Sequence, residues 1–431
     1  MIKFLQVLFI LCGMMITTTH AQRVCGSAEY RQQMLASNPS FKEIFKNIEK
    51  QILAANIKAS ASTARRDTVA NEIIYIPVVV HVLYNGATEN ISEAQVKSQI
   101  DVLNKDYGML NTDRLNTPVA FKPFAAAARF QFCLAQVDPN GKKTNGINRK
   151  YTSQTMFTTD DAMKMAAQGG VASWDSKRYL NIWVCRLNGR SLGYATPPGA
   201  AADRDGVVMA YDAFGSTGNL RAVFNKGRTA THEVGHWLGL IHLWGDASCG
   251  DDHVDDTPAQ QSYNFDCPVF PKVSSCSPNS NGDMFMNFMD FSDDACMNMF
   301  TRGQVQRMRA LFAQNNIRNS FLASYACDST LVQGGPLPVP PADTVAMPAI
   351  SLLSAKIYPN PVQTSITIEC KAASATAIKT INIFNSMGMK VLTARLIQEK
   401  TILNLADVRT GIYFIHISDG KDKFVSTIIK Q

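Results

Sequence analysis

Beyond its N-terminal segment the sequence has no run of about 18 apolar residues, so no membrane-spanning segment is expected. It has no dense Lys/Arg block either. A formal net charge of +7 over 431 residues is mild, and nucleic acid is therefore not an expected partner. Charged residues are few, 18% against 46% hydrophobic. That balance fills a core and argues against overall disorder. No internal repeat stands out. What the chain does have is length: 431 residues exceed one ordinary domain and predict two folded units with processed segments around them.

The N-terminus combines Lys3, an apolar run over residues 4–15 and small residues ending at Ala21. This is the pattern of a secretory signal peptide over residues 1–21. Export means oxidising surroundings, which allow disulfides. Losing Cys12 with the signal leaves nine of the ten cysteines, an odd number, so at least one thiol stays unbridged. Residues 22–64 are polar with helical spacing of Phe41, Ile44, Phe45, Ile48 and Ile52. They run into a small-residue and basic stretch, 60–66, suited to proteolytic nicking. Residues 73–84 read as a buried strand, with Pro77 at its start or at a bulge. Residues 91–107, opened by Ser92-Glu93, read as an amphipathic helix. Further strands are expected over 129–136, 179–187 and 206–211, and a helix over 227–242. This mixture predicts an α+β or α/β main domain over residues 65–328. A Pro-rich linker follows at 329–350. Residues 351–431 then alternate at Ile366/Ile368, Ile381/Ile383 and Ile415/Ile417, as a small all-β sandwich does.

The chemistry is concentrated in His232-Glu233-Val234-Gly235-His236-Trp237-Leu238-Gly239-Leu240-Ile241-His242. Two histidines four residues apart project from one face of a helix toward one point. Glu233 lies beside that face. Gly239 accepts a positive φ, so the helix stops and the chain turns sharply, bringing in His242. Three imidazoles with one open position describe a catalytic zinc site rather than a structural one. There zinc polarises a peptide carbonyl and activates water, and Glu233 passes the water's proton to the leaving amine. A lone histidine is most often structural. This five-residue set, at average residue usage, would arise by chance in on the order of one chain in 100,000.

The extended motif resembles the metzincin metalloproteases, and His242-Leu243-Trp244-Gly245, Asp255-Asp256-Thr257-Pro258 and Asp293-Asp294-Ala295-Cys296-Met297 resemble their pappalysin branch, of bacterial and archaeal type. The resemblance spans roughly residues 23–309. It implies a two-lobed α+β catalytic domain with a twisted mixed sheet and a zinc-bearing helix, acting on protein or peptide substrates. It implies Met289 as the methionine of a turn beneath the zinc, and Cys25, in Arg23-Val24-Cys25-Gly26, as a cysteine switch that makes 22–64 a latency propeptide. An ordinary disulfide cysteine is the other reading of Cys25. Two disulfides are implied, Cys249–Cys276 and Cys267–Cys296, among three connectivities that sequence alone allows. Cys133 and Cys185 lie in strand patterns and read as buried thiols; Cys327 and Cys370 receive no assignment. Calcium is implied in the oxygen-rich loop 250–257, with Asp252, Val254 and Thr257 as ligands, the plainer reading being a solvated acidic loop. Asp294 is implied as the floor of the pocket for the residue after the cut bond, selecting Arg or Lys. Such an enzyme could cut its own precursor before Arg65 or Arg66. Phe291 departs from the resemblance, which has Tyr there, and a missing oxyanion donor can cost about 100-fold in rate. Phe291 is the one feature favouring a catalytically weak zinc-binding surface protein over an endopeptidase.

At the far end, Ile357-Tyr358-Pro359-Asn360-Pro361 and Gly411-Ile412-Tyr413-Phe414-Ile415, following the Pro-rich stretch, resemble the C-terminal sorting domain of type IX secretion substrates. This implies the type IX machinery as a partner and a secreted or cell-surface destination. A plain β-sandwich binding module is the alternative.

Overall fold

Strand β2 (Ile74–Tyr84) is buried along nearly its whole length, as its almost continuous apolar sequence, interrupted by His81, requires of a strand covered on both faces. It lies parallel to β3 (Phe130–Leu134), β4 (Ile147–Tyr151) and β5 (Leu180–Cys185). Pro77 is paired with Cys133 of β3, one residue before the ladder to β5 begins at Val78. The strand thus tolerates its missing N–H without a bulge. β5 is parallel to β7 (Val207–Ala210), and β7 is antiparallel to β6 (Ser191–Ala195). A two-residue strand, β1 (Val24–Cys25), adds to β6 in parallel. The result is a seven-stranded mixed sheet in the order β1-β6-β7-β5-β2-β3, with β4 also on β2. The expected strands are present but shorter, because the hydrogen-bond ladders end before the apolar pattern does.

The computed structural model describes residues 24–61, 72–276, 281–328, 354–371, 379–385, 390–396, 400–418 and 423–431. The expected signal peptide, the Arg65-Arg66 site and the linker at 329–350 lie outside them. The chain divides into one unit through Val339 and a second from Pro340.

In the first unit, helices α1 (Ser27–Ser37) and α2 (Pro39–Ala61) precede the sheet. Helix α3 (Glu93–Tyr107) is capped by Ser92, whose side chain accepts the Gln95 N–H at 3.1 Å. It packs against β3 and against α4 (Arg228–Trp237). The Tyr107 hydroxyl donates to Thr231 O at 2.9 Å, and the Gln99 side chain donates to Gly227 O at 3.0 Å. α4 is shorter than the helix expected over 227–242. Gly239 adopts φ +84°, and the Leu240 N–H returns to Gly235 O at 2.9 Å, closing the C-terminus in the left-handed turn that only glycine makes without strain. Arg307 on α5 (Arg302–Ala310) holds this turn, donating to Gly239 O at 2.7 Å and pairing with Glu49 of α2 at 2.5 Å.

The second unit is all-β. One antiparallel sheet has the order β11-β10-β13-β14, the other β12-β9-β8, from β8 (Ser354–Tyr358), β9 (Ser365–Lys371), β10 (Lys379–Asn385), β11 (Lys390–Leu396), β12 (Lys400–Asn404), β13 (Gly411–Ser418) and β14 (Lys423–Lys430). Ile366, Ile368, Ile381, Ile383, Ile415 and Ile417 are all fully buried in its core. Ile381 lies opposite Ile417 and Ile383 opposite Ile415, so the period-2 pattern sets the register.

Candidate metal centre

Every residue of α4 is buried, which fixes its side chains on a rigid element. Its glycine has a packing cause. A Cβ on Gly235 would stand 2.5 Å from Met289 Sδ, so glycine is what lets the methionine lie against the helix between His232 and His236. Met289 is fully buried, and its N–H donates to Asn287 Oδ1 at 2.9 Å. The following Asp290 anchors the turn. Its carboxylate accepts from Asn264 N, Asn264 Nδ2, Gln260 Nε2 and Phe291 N at 2.7–3.1 Å.

Burial pushes the Asp290 carboxyl up to about 6 from 3.8 in spite of those donors. A carboxyl that holds its proton more tightly folded than unfolded stabilises the fold most at low pH, and that contribution is lost as pH rises through about 6. The melting-temperature deficit of Asp290→Asn relative to wild type is therefore expected to shrink between pH 4.5 and 7.5 in scanning calorimetry. A deficit that stays constant would mean the group does not titrate in this range.

The three histidine Nε2 atoms lie 3.1–3.2 Å from one another. Each Nδ1 faces an acceptor: Phe288 O at 2.7 Å for His232, Leu240 O at 2.9 Å for His236, and the Asp246 carboxylate for His242. An acceptor there requires the proton on Nδ1 and leaves a lone pair on Nε2. Burial pushes the His236 pKa well down, which keeps its ring neutral. Three lone pairs converging at this distance repel unless a cation lies among them. Nitrogens about 2.0–2.1 Å from a tetrahedral zinc would stand about 3.3 Å apart, so the set fits zinc. Cys25 Sγ lies 3.5 Å from both His236 Nε2 and Glu233 Oε2. Cys25, His232, His236 and His242 are the one group of three or more potential metal-ligating side chains clustered within 4.8 Å among the described residues.

Asp246 is a residue that the motif alone does not single out, although a carboxylate four residues after the third histidine is a usable signal. It orients His242 and also receives Arg31 of α1 at 2.6 Å. Asp246→Asn is expected to weaken zinc binding about 10- to 100-fold, measured by competition with a chelator; unchanged affinity would mean that Trp244, stacked on His242 at 4.4 Å, suffices to hold the ring. Ser27 was missed as well. Its hydroxyl donates to Glu233 Oε2 at 2.7 Å and accepts the Ala195 N–H at 2.8 Å. Nothing local in the sequence signals a contact across 206 positions.

The Phe291 ring lies against His242 (4.9 Å), Trp244 (4.9 Å) and Tyr263 (5.3 Å). Asp294 is fully buried, and its Oδ2 accepts the Lys226 and Arg228 N–H groups at 2.8 and 3.2 Å at the start of α4. The Asp252 carboxylate accepts from Val254 N (3.1 Å) and Thr257 Oγ1 (2.9 Å), and Thr257 Oγ1 also donates to Val254 O (2.7 Å), which brings those three residues to one point. Cys249 is bonded to Cys276, and Cys267 to Cys296. Cys133, expected as a buried thiol, is instead bonded to Cys327, since the chain returns to β3 after α5. Cys185 is a buried thiol.

Residues 164–313, which contain the histidine cluster, match the family described as Pregnancy-associated plasma protein-A, peptidase M43. An extracellular metalloprotease of Verticillium alfalfae is 31% identical over 306 residues, covering 69% of this chain and 91% of that protein. Extracellular metalloprotease 1 of Coccidioides posadasii is 34% identical over 253 residues, covering 56% and 78%. Among solved structures, a promirolysin mutant of Tannerella forsythia is 45% identical with a TM-score of 0.64, covering 70% of this chain and 97% of that one. Mature mirolysin of the same organism, in complex with a cleaved peptide, is 48% identical with a TM-score of 0.58, covering 62% and 100%. Fold and site thus define a zinc metalloendopeptidase of the metzincin class. Within that class, the chain belongs to the M43, or pappalysin, family. Residues 356–431 match the secretion system C-terminal sorting domain, so the protein is exported to the exterior or the cell surface and engages the type IX machinery. No helix among the described residues is long and apolar enough to cross a membrane.

Proposed function

We infer that the enzyme cleaves peptide bonds with Glu233 as general base, prefers Arg or Lys after the cut bond, and is latent while Cys25 lies at the metal centre. The observation that carries the reading is the convergence of the three Nε2 atoms with the Glu233 carboxylate beside them. Zinc held by His232, His236 and His242 supplies Lewis acidity toward the carbonyl oxygen. Glu233, fully buried, takes the proton of the attacking water and delivers it to the leaving amine. Met289 floors the site through packing alone. Phe291 offers no hydroxyl, so this side chain donates no hydrogen bond to a developing oxyanion. A thiolate is a good zinc ligand, and Cys25 Sγ at 3.5 Å from His236 Nε2 matches the spacing of a fourth tetrahedral ligand. Ser27 covers the base at the same time, which supports latency by two contacts.

Two finer assignments go with this reading. Asp294 shapes the pocket for a basic side chain, supported by its buried carboxylate. Asp252, Val254 and Thr257 hold calcium, supported by the meeting of their oxygens. The test is a mixed peptide library offered to the activated protein with and without a zinc chelator. The expected result is chelator-sensitive cleavage before Arg or Lys. Full zinc occupancy with no cleavage would overturn the reading, and cleavage before other residues would remove the role of Asp294.

A further inference from the structure

Ser27 and Tyr30 are the buried residues of α1, and they reach different places. Side chains alternate along a strand. On β6, a Cβ at Gly193 would point to Glu233 Cγ at 3.1 Å, so Tyr194 points to the face away from Glu233. Tyr30 goes to that second face. Its ring lies 5.2 Å from the Tyr194 ring, and its hydroxyl donates to Asp161 Oδ2. Tyr194 donates to the other oxygen of Asp161 at 2.8 Å. Lys164 Nζ, on a fully buried side chain, stands 2.8 Å from Asp161 and 5.4 Å from the Tyr30 ring centre. The slot adjoins an edge strand that already takes a peptide: Val24 and Cys25 pair with β6, and the Gly26 N–H donates to Gly193 O at 3.0 Å.

We propose that this slot, once the leading segment has left, is a substrate subsite that takes a tyrosine side chain from a peptide paired with β6. The proposal rests on the reading that the leading segment is removed and peptides are cleaved. The aromatic wall of Tyr194 and Trp183 with Met163 favours a flat ring over a small or flexible side chain. Phenylalanine fills the volume but loses the hydrogen bond that Tyr30 gives Asp161 Oδ2, leaving that oxygen only the Arg204 guanidinium at 3.6 Å, and a lost hydrogen bond to a buried carboxylate is costly. Lysine and arginine are disfavoured, because Lys164 and Arg204 already place cations at Asp161, at 2.8 and 3.6 Å, and a third would meet both.

The test uses one randomised peptide library and the activated protein. Peptides cleaved by wild type, and peptides retained by activated Glu233→Ala, are sequenced by mass spectrometry. Tyr is expected to exceed Phe about 10-fold at one fixed position in both sets, and Asp161→Asn lowers that ratio several-fold. A second arm leaves Asp161 in place and so does not depend on that variant folding. In full-length Tyr30→Ala precursor the slot is open and binds N-acetyltyrosinamide in preference to N-acetylphenylalaninamide by saturation-transfer NMR; the wild-type precursor binds neither there. Equal Tyr and Phe at every position of the retained set, with no preference by Tyr30→Ala, overturns the subsite while leaving cleavage intact. Absence of cleavage by wild type counts against the protease reading instead, and the retained set still decides the slot.

Discussion

Glu233→Ala is expected to lower kcat/KM for peptide cleavage by about 10²- to 10⁴-fold while leaving bound zinc at wild-type stoichiometry. The size follows from the contribution of a positioned general base. The selectivity follows from geometry: the metal-facing nitrogens belong to His232, His236 and His242, whose Nδ1 atoms are held by Phe288, Leu240 and Asp246. None of these supports involves Glu233. Steady-state kinetics together with metal analysis on one preparation separates the two effects. A variant that loses zinc along with activity would show that Glu233 holds the site rather than serving it. Retention of activity within about tenfold would mean that another group takes the proton.

The second large effect is on stability. Replacing both Cys133 and Cys327 by alanine is expected to destabilise the catalytic unit by several kcal/mol. The bond closes a loop with a sequence separation of 194, for which loop-closure entropy gives about 5 kcal/mol and typical measured values are about 2–4. The bond ties β3, next to the central strand β2, to the last described residues of the unit, where the Gln136 N–H also donates to Ala326 O at 2.7 Å. Denaturant unfolding of the double variant beside oxidised and reduced wild type measures it. A midpoint equal to that of the oxidised wild type would mean that the backbone contacts around Ala326 close the loop unaided.

The metal-binding chemistry was legible because it is local. His232 and His236 are one helical turn apart, Gly239 ends the helix and His242 follows, so eleven consecutive residues carry the proposed ligand set and the proposed base. The period-2 isoleucines of the C-terminal unit were legible for the same reason, since alternation along a strand decides which face is buried. Strand and helix ends were less legible, because a ladder ends where its neighbour ends, and only the partner strand decides that. The residues of the expected calcium loop, Asp294 and the cysteine pairs Cys249–Cys276 and Cys267–Cys296 are implied by resemblance and follow from no spacing rule.

What the sequence by itself determined is therefore the reaction centre and the periodic cores, through short-range geometry of helices and strands. What only the tertiary structure decided is everything that joins distant positions: the Cys133–Cys327 bond, the Arg31–Asp246 pair behind His242, Ser27 on Glu233, and Tyr30 in the slot of Asp161 and Tyr194. The physical reason is that a side chain's partner across some 200 residues is set by how the sheet and helices pack, and no local periodicity encodes that packing.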